Sequence, residues 1–200
     1  MRPRHSANSG ARPLNASVRR LRQRLRKVTT STLGEILLDW GRHEAPVRGR
    51  SQSVDLEDDR AVLSFILWFR APYIGRIMTR RPMREALVVE LETGDAEALF
   101  LADGRSLRQW RAAVTASGGD ALEHFTALVE GTRQFQGKLV AAARFDSAAQ
   151  AVGPIVLYDG WHRAAAWAER MEQGRESPIT AHLILTEGED PLLELESAAF

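Results

Sequence analysis

Cysteine is missing altogether from this 200-residue chain. Its absence excludes disulfides, thiolate zinc sites and a cysteine nucleophile. Histidine is sparse and scattered, at His5, His43, His124, His162 and His182. No two share the short spacing that metal sites favour, so no structural metal is expected. Long apolar runs are missing too. The longest, Ala61–Phe69, is about half of the roughly 20 residues a membrane crossing requires, and reads as buried core. Residues 1–34 contain no apolar block of signal-peptide length, so a cytoplasmic protein is the expectation.

Acid is the fourth absence. No Asp or Glu precedes Glu35, whereas Arg2, Arg4, Arg12, Arg19, Arg20, Arg22, Arg24, Arg26 and Lys27 all do. Of 27 basic residues, nine lie in this segment, and the remaining 18 face 26 acidic ones, a net of −8. A cationic arm, residues 1–30, therefore precedes an acidic body, residues 31–200. Residues 1–15 combine Pro, Gly, Asn and Ser in a composition that cannot support a packed core. From Ser17 to Val28 the apolar residues Val18, Leu21, Leu25 and Val28 recur at helical steps, which predicts an arginine-rich helix. Such an arm suits nucleic acid, an acidic membrane surface, the acidic body itself, or no dedicated partner. Offered phosphates, residues 1–28 would bind them in a salt-sensitive way. No helix-turn-helix is evident that would read base edges.

Within the body, Ser31 or Thr32 caps a predicted helix through Trp40, with Gly41 as its stop and residues 41–58 as a loop. The 61–69 run reads as a helix starting near Leu56. Arg84–Glu92 reads as a strand, Thr93-Gly94-Asp95 as a turn, and Ala96–Ala102 as the returning strand of a hairpin. Ser106 and Asp120 are expected to cap two successive helices separated by Gly118-Gly119, the second ending at Gly131. Strands follow at Lys138–Phe145 and Pro154–Tyr158, then a helix over Trp161–Gln173 and a final strand at Ile179–Leu185. The fold class is α+β, a small mixed sheet with helices packed on it.

The segment that carries chemistry is 154–186, a strand–turn–helix–strand unit. A helix opening straight after a buried strand presents unpaired N–H groups and the positive end of its dipole at the strand's C-terminal end, where phosphates bind. Here Tyr158 ends the strand, Asp159 and Gly160 turn, and His162 and Arg163 fall in the first helical turn. Gly160 permits close approach of backbone to a ligand. Arg163 offers a fork for phosphate oxygens and His162 a donor whose strength depends on pH. Asp159 either caps the helix or holds magnesium or a substrate hydroxyl. The bland alternative is ordinary turn chemistry, with the cations paired to nearby acids. Asp159 and His162 are the catalytic candidates; Gly160, Trp161, His162 and Arg163 are the cofactor-binding ones. Trp161 either stacks on a base or closes the end of the core.

The stretch Gly160-Trp-His-Arg-Ala-Ala-Ala-Trp167, followed by Arg175-Glu-Ser-Pro-Ile-Thr-Ala-His-Leu183, resembles the C-terminal phosphate-binding segment of sulfiredoxin. The form Asp159-Gly-x-His-Arg163 also resembles the wider ParB/sulfiredoxin superfamily, free serine kinases among them. The resemblance covers about 30 of the 200 residues. It implies that Gly160, His162 and Arg163 cradle the phosphates of ATP or another nucleoside triphosphate such as CTP, with Mg2+. It further implies phosphoryl transfer, nucleotide hydrolysis or nuclease activity. Sulfiredoxin's cysteine falls at Trp161, so sulfinic-acid reduction is excluded. The kinase-like relatives use a glutamate from the N-terminal half of the domain. Glu85, Glu92, Glu123 and Glu130 are weak candidates for that role, as Lys138 and Arg144 are for phosphate contacts. A DNA-associated module and an inactive interaction protein are the competing readings.

Overall fold

The computed structural model describes residues 26–49, 53–79, 83–145, 151–175 and 178–186. Most of the basic arm, including Ser17–Leu25 of its expected helix, lies outside them. The arm's last residues do not continue that helix. Arg26–Ser31 form strand β1, paired antiparallel with β2 (Met83–Leu91). The run Val28-Thr-Thr is β-branched, and pairing with β2 overrides the helical spacing that Val28 completed in sequence.

Helix α1 (Leu33–Val47) opens with a capping box. Thr32 Oγ1 accepts from the N–H of Glu35, whose carboxylate accepts from the N–H of Thr32 at 2.7 Å. The helix does not stop at Gly41, and the expected loop begins only after Val47. Gly41 is buried against α2 (Asp59–Phe69), where an added Cβ would lie 2.6 Å from Val62 Cγ1. It is a close-packing glycine within a helix, which a breaker rule cannot distinguish from a stop. The apolar 61–69 run is helical as expected, capped by Asp58 and followed by α3 (Ala71–Thr79).

After β2 the expected hairpin does not form. The carboxylate of Asp95 accepts the N–H of Glu92 at 2.7 Å and curls Thr93–Ala98 into a 3-10 turn. The returning strand shrinks to β3 (Leu99–Leu101), which pairs parallel with β5 (Ala151–Asp159) instead of antiparallel with β2. Ser106 caps α4 (Leu107–Ser117) as expected. Gly118 rather than Asp120 occupies the cap of α5 (Gly119–Glu130), and Asp120 stands in its first turn, where the dipole favours acid. Gly131 ends α5 in the left-handed conformation. Strand β4 (Leu139–Phe145), β5, helix α6 (Trp161–Glu172) and β6 (Ile179–Thr186) complete the domain.

The fold is α+β. Its sheet is mixed, ordered β1-β2-β6-β4-β5-β3, with β4 parallel to β6 and antiparallel to β5. One face carries Leu87, Val89, Ala141, Leu157 and Leu183 against α4, α5 and α6. The opposite face carries Ala86, Val140, Ala142, Val156 and Ile184 against α1, α2 and α3. Helix α6 buries Ala164, Ala165, Ala166 and Ala168 beside Trp167, so short side chains let it sit close to the strands. Among the described residues no helix is long and apolar enough to cross a membrane.

Candidate functional site

The turn from β5 into α6 opens onto a cavity of about 320 Å³. Its walls come from several elements around that corner. The C-terminal end of α1 supplies Glu44 and Arg48, and the α2–α3 junction supplies Arg70 and Tyr73. The last turns of α5 supply His124 and Leu128, and the α5–β4 loop supplies Arg133, Gln134 and Gln136. Residues 158–163 form its floor. All five sequence candidates, Asp159, Gly160, Trp161, His162 and Arg163, therefore line one cavity.

Gly160 is the cap of α6 at φ 85, a left-handed conformation suited to glycine. A Cβ there would meet Leu139 Cδ2 at 2.5 Å and an Arg163 guanidinium nitrogen at 2.9 Å. Strand β4 thus closes under the turn, and only glycine lets the chain pass between them. The first intrahelical bond runs from the Ala164 N–H to the Gly160 carbonyl at 2.8 Å. The N–H groups of the three preceding residues have no helical carbonyl one turn back.

Asp159 does not cap the helix, since α6 has no side-chain cap. Instead its carboxylate bridges two arginines: Oδ2 accepts from Arg163 at 2.8 Å and Oδ1 from Arg70 at 3.1 Å. The same Arg70 nitrogen reaches Glu44 at 2.6 Å, and Glu44 also accepts from Arg48 at 2.9 Å. Four of the members, Glu44, Arg70, Asp159 and Arg163, are largely buried. Burial pushes the Asp159 carboxyl upward, opposed by Arg163 and Arg70. Arg163 also donates to the carbonyl of Gln136. The cation in the first helical turn thus finds its anion four residues earlier in the same chain, which removes the sequence argument that an external anion must neutralise it.

The positive character of the cavity comes from the whole set of charges around it. Four guanidinium groups (Arg48, Arg70, Arg133 and Arg163) line it against two carboxylates (Glu44 and Asp159). Arg70 lies over the rings of Trp40, Phe69 and Tyr73, at 5.7, 5.1 and 5.9 Å, and its Nε is buried without a hydrogen-bond partner among the described residues. Arg48 lies over Phe69 at 5.4 Å. Stacking on aromatic faces holds these guanidiniums in place without consuming their donors. Both carboxylates already accept from arginines, so they do not fit a magnesium site as they stand, and among the described residues no group of three His, Asp or Glu converges on a metal position.

His162 is not the cationic donor that its position suggested. Its ring packs edge-to-face on Trp110 at 4.8 Å and on His124 at 4.9 Å. Burial, then His124 and Arg48, hold its pKa down to about 4, so it is neutral at physiological pH. Burial, Arg133 and Arg163 lower His124 as well. Trp161 donates its indole N–H to the Leu157 carbonyl at 3.2 Å and meets Tyr73 edge-on at 6.5 Å. It packs against the cores on both faces of the sheet, so it closes the end of the core while lining the cavity.

The weaker candidates lie elsewhere. Glu92 caps the 3-10 turn, and Glu123 and Glu130 are exposed on α5. Glu85 sits on β2, opposite Leu185 of β6. Arg144 pairs along β4 with Val152 and Thr186, away from the turn. Lys138 pairs with Asp39 at 3.1 Å, and Asp39 also accepts from His182 at 2.8 Å. That cluster, with the His43 ring lying on the backbone of Gly137, ties α1 to β6 and to the loop bearing Arg133 and Gln136. His182 first and Lys138 next hold the Asp39 carboxyl far below the usual range.

Sequence reasoning missed Glu44, Arg48, Arg70, Tyr73, His124 and Arg133. Glu44 and Arg48 fell in the stretch read as a loop. Arg70, directly after the apolar 61–69 run, was the one signal available: a lone arginine at the end of a buried helix calls for a partner. The chain matches no family model, no curated protein and no solved structure.

Proposed function

We propose that this protein binds the phosphates of a nucleotide in the cavity at the β5–α6 turn, and that it uses ATP, CTP or another nucleoside triphosphate for phosphoryl transfer or hydrolysis. One observation carries the reading. Four arginines from four different parts of the chain converge with two carboxylates on the N-terminus of α6, leaving an excess of positive charge around unpaired backbone N–H groups. The volume of about 320 Å³ is at the small end of ligand pockets and suits a phosphate group with part of a nucleoside. Gly160 gives the phosphate access to backbone, Arg163 and Arg70 supply the inner donors, and Arg48 and Arg133 supply the rim. In this reading Asp159 orients the two inner guanidiniums and, with its carboxyl raised by burial, serves as the general base. The ParB/sulfiredoxin resemblance of Asp159-Gly-x-His-Arg163 points the same way.

Calorimetric titration of ATP and CTP, with and without magnesium, tests it on the wild type and on a His162→Ala/Arg163→Ala variant. Saturable binding that the folded variant loses supports the phosphate site; absence of binding by the wild type contradicts it.

A second reading rests on the acid-free first 34 residues, which favour contact of the arm with nucleic-acid phosphates. DNA binding that is steeply salt-dependent and disappears on deleting residues 1–25 is its expected signature. Binding that survives the deletion contradicts it.

A further inference from the structure

The cavity holds two facing histidines that the turn motif alone does not contain as a pair. His124 comes from α5 and His162 from α6, and their rings meet edge-to-face at 4.9 Å. Arg133 donates to His124 Nδ1 at 2.6 Å. A guanidinium can only donate, so this Nδ1 is an acceptor without a proton, and the neutral His124 ring carries its hydrogen on Nε2. His162 has no hydrogen-bond partner for either ring nitrogen among the described residues. Both histidines line the cavity.

Aromatic and cationic groups flank the pair. Trp110 of α4 packs on His162, and Arg48 at the end of α1 bears on it electrostatically. Arg133 and Arg163 bear on His124. Asp159, which lines the same cavity, is held by Arg70 and Arg163. Cations and burial thus surround two neutral rings, and His162 brings one N–H and one lone pair without a partner among the described residues.

On the phosphate reading above, we infer that the His124–His162 pair makes this a site for a terminal phosphate, a phosphomonoester group taken up together with a proton. A terminal phosphate is largely dianionic at pH 7.5, with a second pKa near 6. Brought beside a neutral imidazole lone pair, it adds the negative charge that the histidines lack. One proton from solvent then settles between a phosphate oxygen and the His162 lone pair. Whichever atom carries it, the hydrogen bond is the same. Sulfate has the same shape and charge but does not hold a proton at this pH, so the lone pair of His162 faces its oxygens without a hydrogen between them. A phosphodiester, which carries a single negative charge and no second ionisation, is disfavoured for the same reason.

The test is calorimetry of inorganic phosphate, AMP and sulfate on the full chain at pH 7.5, each in two buffers of different ionisation enthalpy. The expected result is uptake of about one proton per bound AMP, and tighter binding of AMP and of inorganic phosphate, whose dianion already carries a hydroxyl proton, than of sulfate. In His162→Gln, which keeps a planar polar side chain, AMP and phosphate still bind but the AMP-linked uptake disappears and the preference over sulfate falls. AMP binding without proton uptake, or sulfate bound as tightly as phosphate, overturns the inference while leaving the phosphate cavity intact. No binding of phosphate or AMP overturns the cavity reading and this inference with it. The two-buffer comparison on the wild type decides the matter even if the variant fails to fold.

Discussion

Arg163 reaches back one helical turn to Asp159, and the two meet at 2.8 Å across the turn that Gly160 makes. The contact connects the start of α6 to the end of β5, and Arg70 extends it to α1 through Glu44. Truncating Arg163 to Met leaves half of a buried carboxylate without its partner. The expected loss is about 3 kcal/mol of stability by urea denaturation. Adding Asp159→Asn to that variant recovers part of the loss, because the uncompensated charge is removed. A double variant no more stable than the single one contradicts a coupled pair.

Gly160→Ala and Gly104→Ala separate backbone strain from close packing. Both glycines have φ near 85°, but Gly104 has nothing within 4 Å of an added Cβ, whereas Gly160 has Leu139 Cδ2 at 2.5 Å. Each substitution is expected to cost about 1 kcal/mol for the left-handed backbone, with about 1–2 kcal/mol more at Gly160 alone. Equal losses at the two sites show that β4 does not close under the turn.

His162 gives stability a dependence on acidity. Its proton affinity is lower in the folded state, so its contribution is complete above about pH 6.5 and is lost as pH falls through about 4. Allowing for its partial exposure, the loss across that window is about 1–2 kcal/mol. His162→Gln flattens the profile between pH 6.5 and 4, measured by urea denaturation at half-unit steps. An unchanged slope contradicts the account.

Asp39 acts in a lower window. Held far below the usual carboxylate range by His182 and Lys138, it contributes stability above the unfolded value near 4, and that contribution is lost on further acidification. Asp39→Asn is expected to lower stability at pH 7 and to bring mutant and wild type closer together below pH 4. Hydrogen exchange reads the same clamp, with faster exchange in α1 than in α6. Uniform acceleration across the domain contradicts a local tie between α1 and β6.

Much of this structure was legible because local chemistry and tertiary packing agree. The Ser31/Thr32 cap signal, the Ser106 cap, the Gly131 stop and the apolar runs of β5 and β6 each announce an element whose neighbours reinforce it. Gly41 and Asp95 show where the reading fails. Gly41 serves contact with α2, 21 residues from Val62, and nothing local marks it. Asp95 closes a ring on Glu92 and sends β3 to the far edge of the sheet, beside β5. The site divides in the same way. Asp159 to Arg163 are contiguous, so their place at a strand end could be read directly. Arg48, Arg70, His124 and Arg133 reach the cavity only through the packing of three helices around it, and spacing along the chain carries no trace of that meeting.

The central claim is that the charge excess in this cavity holds nucleotide phosphate. The most direct measurement is calorimetric titration of ATP into an Arg48→Ala/Arg133→Ala variant beside the wild type. These rim arginines are the more exposed of the four, so the variant is expected to unfold within about 1 kcal/mol of wild type. The account predicts saturable binding by the wild type and a loss of at least about tenfold in the variant. Wild-type binding that the variant retains in full, or no wild-type binding at all, contradicts it.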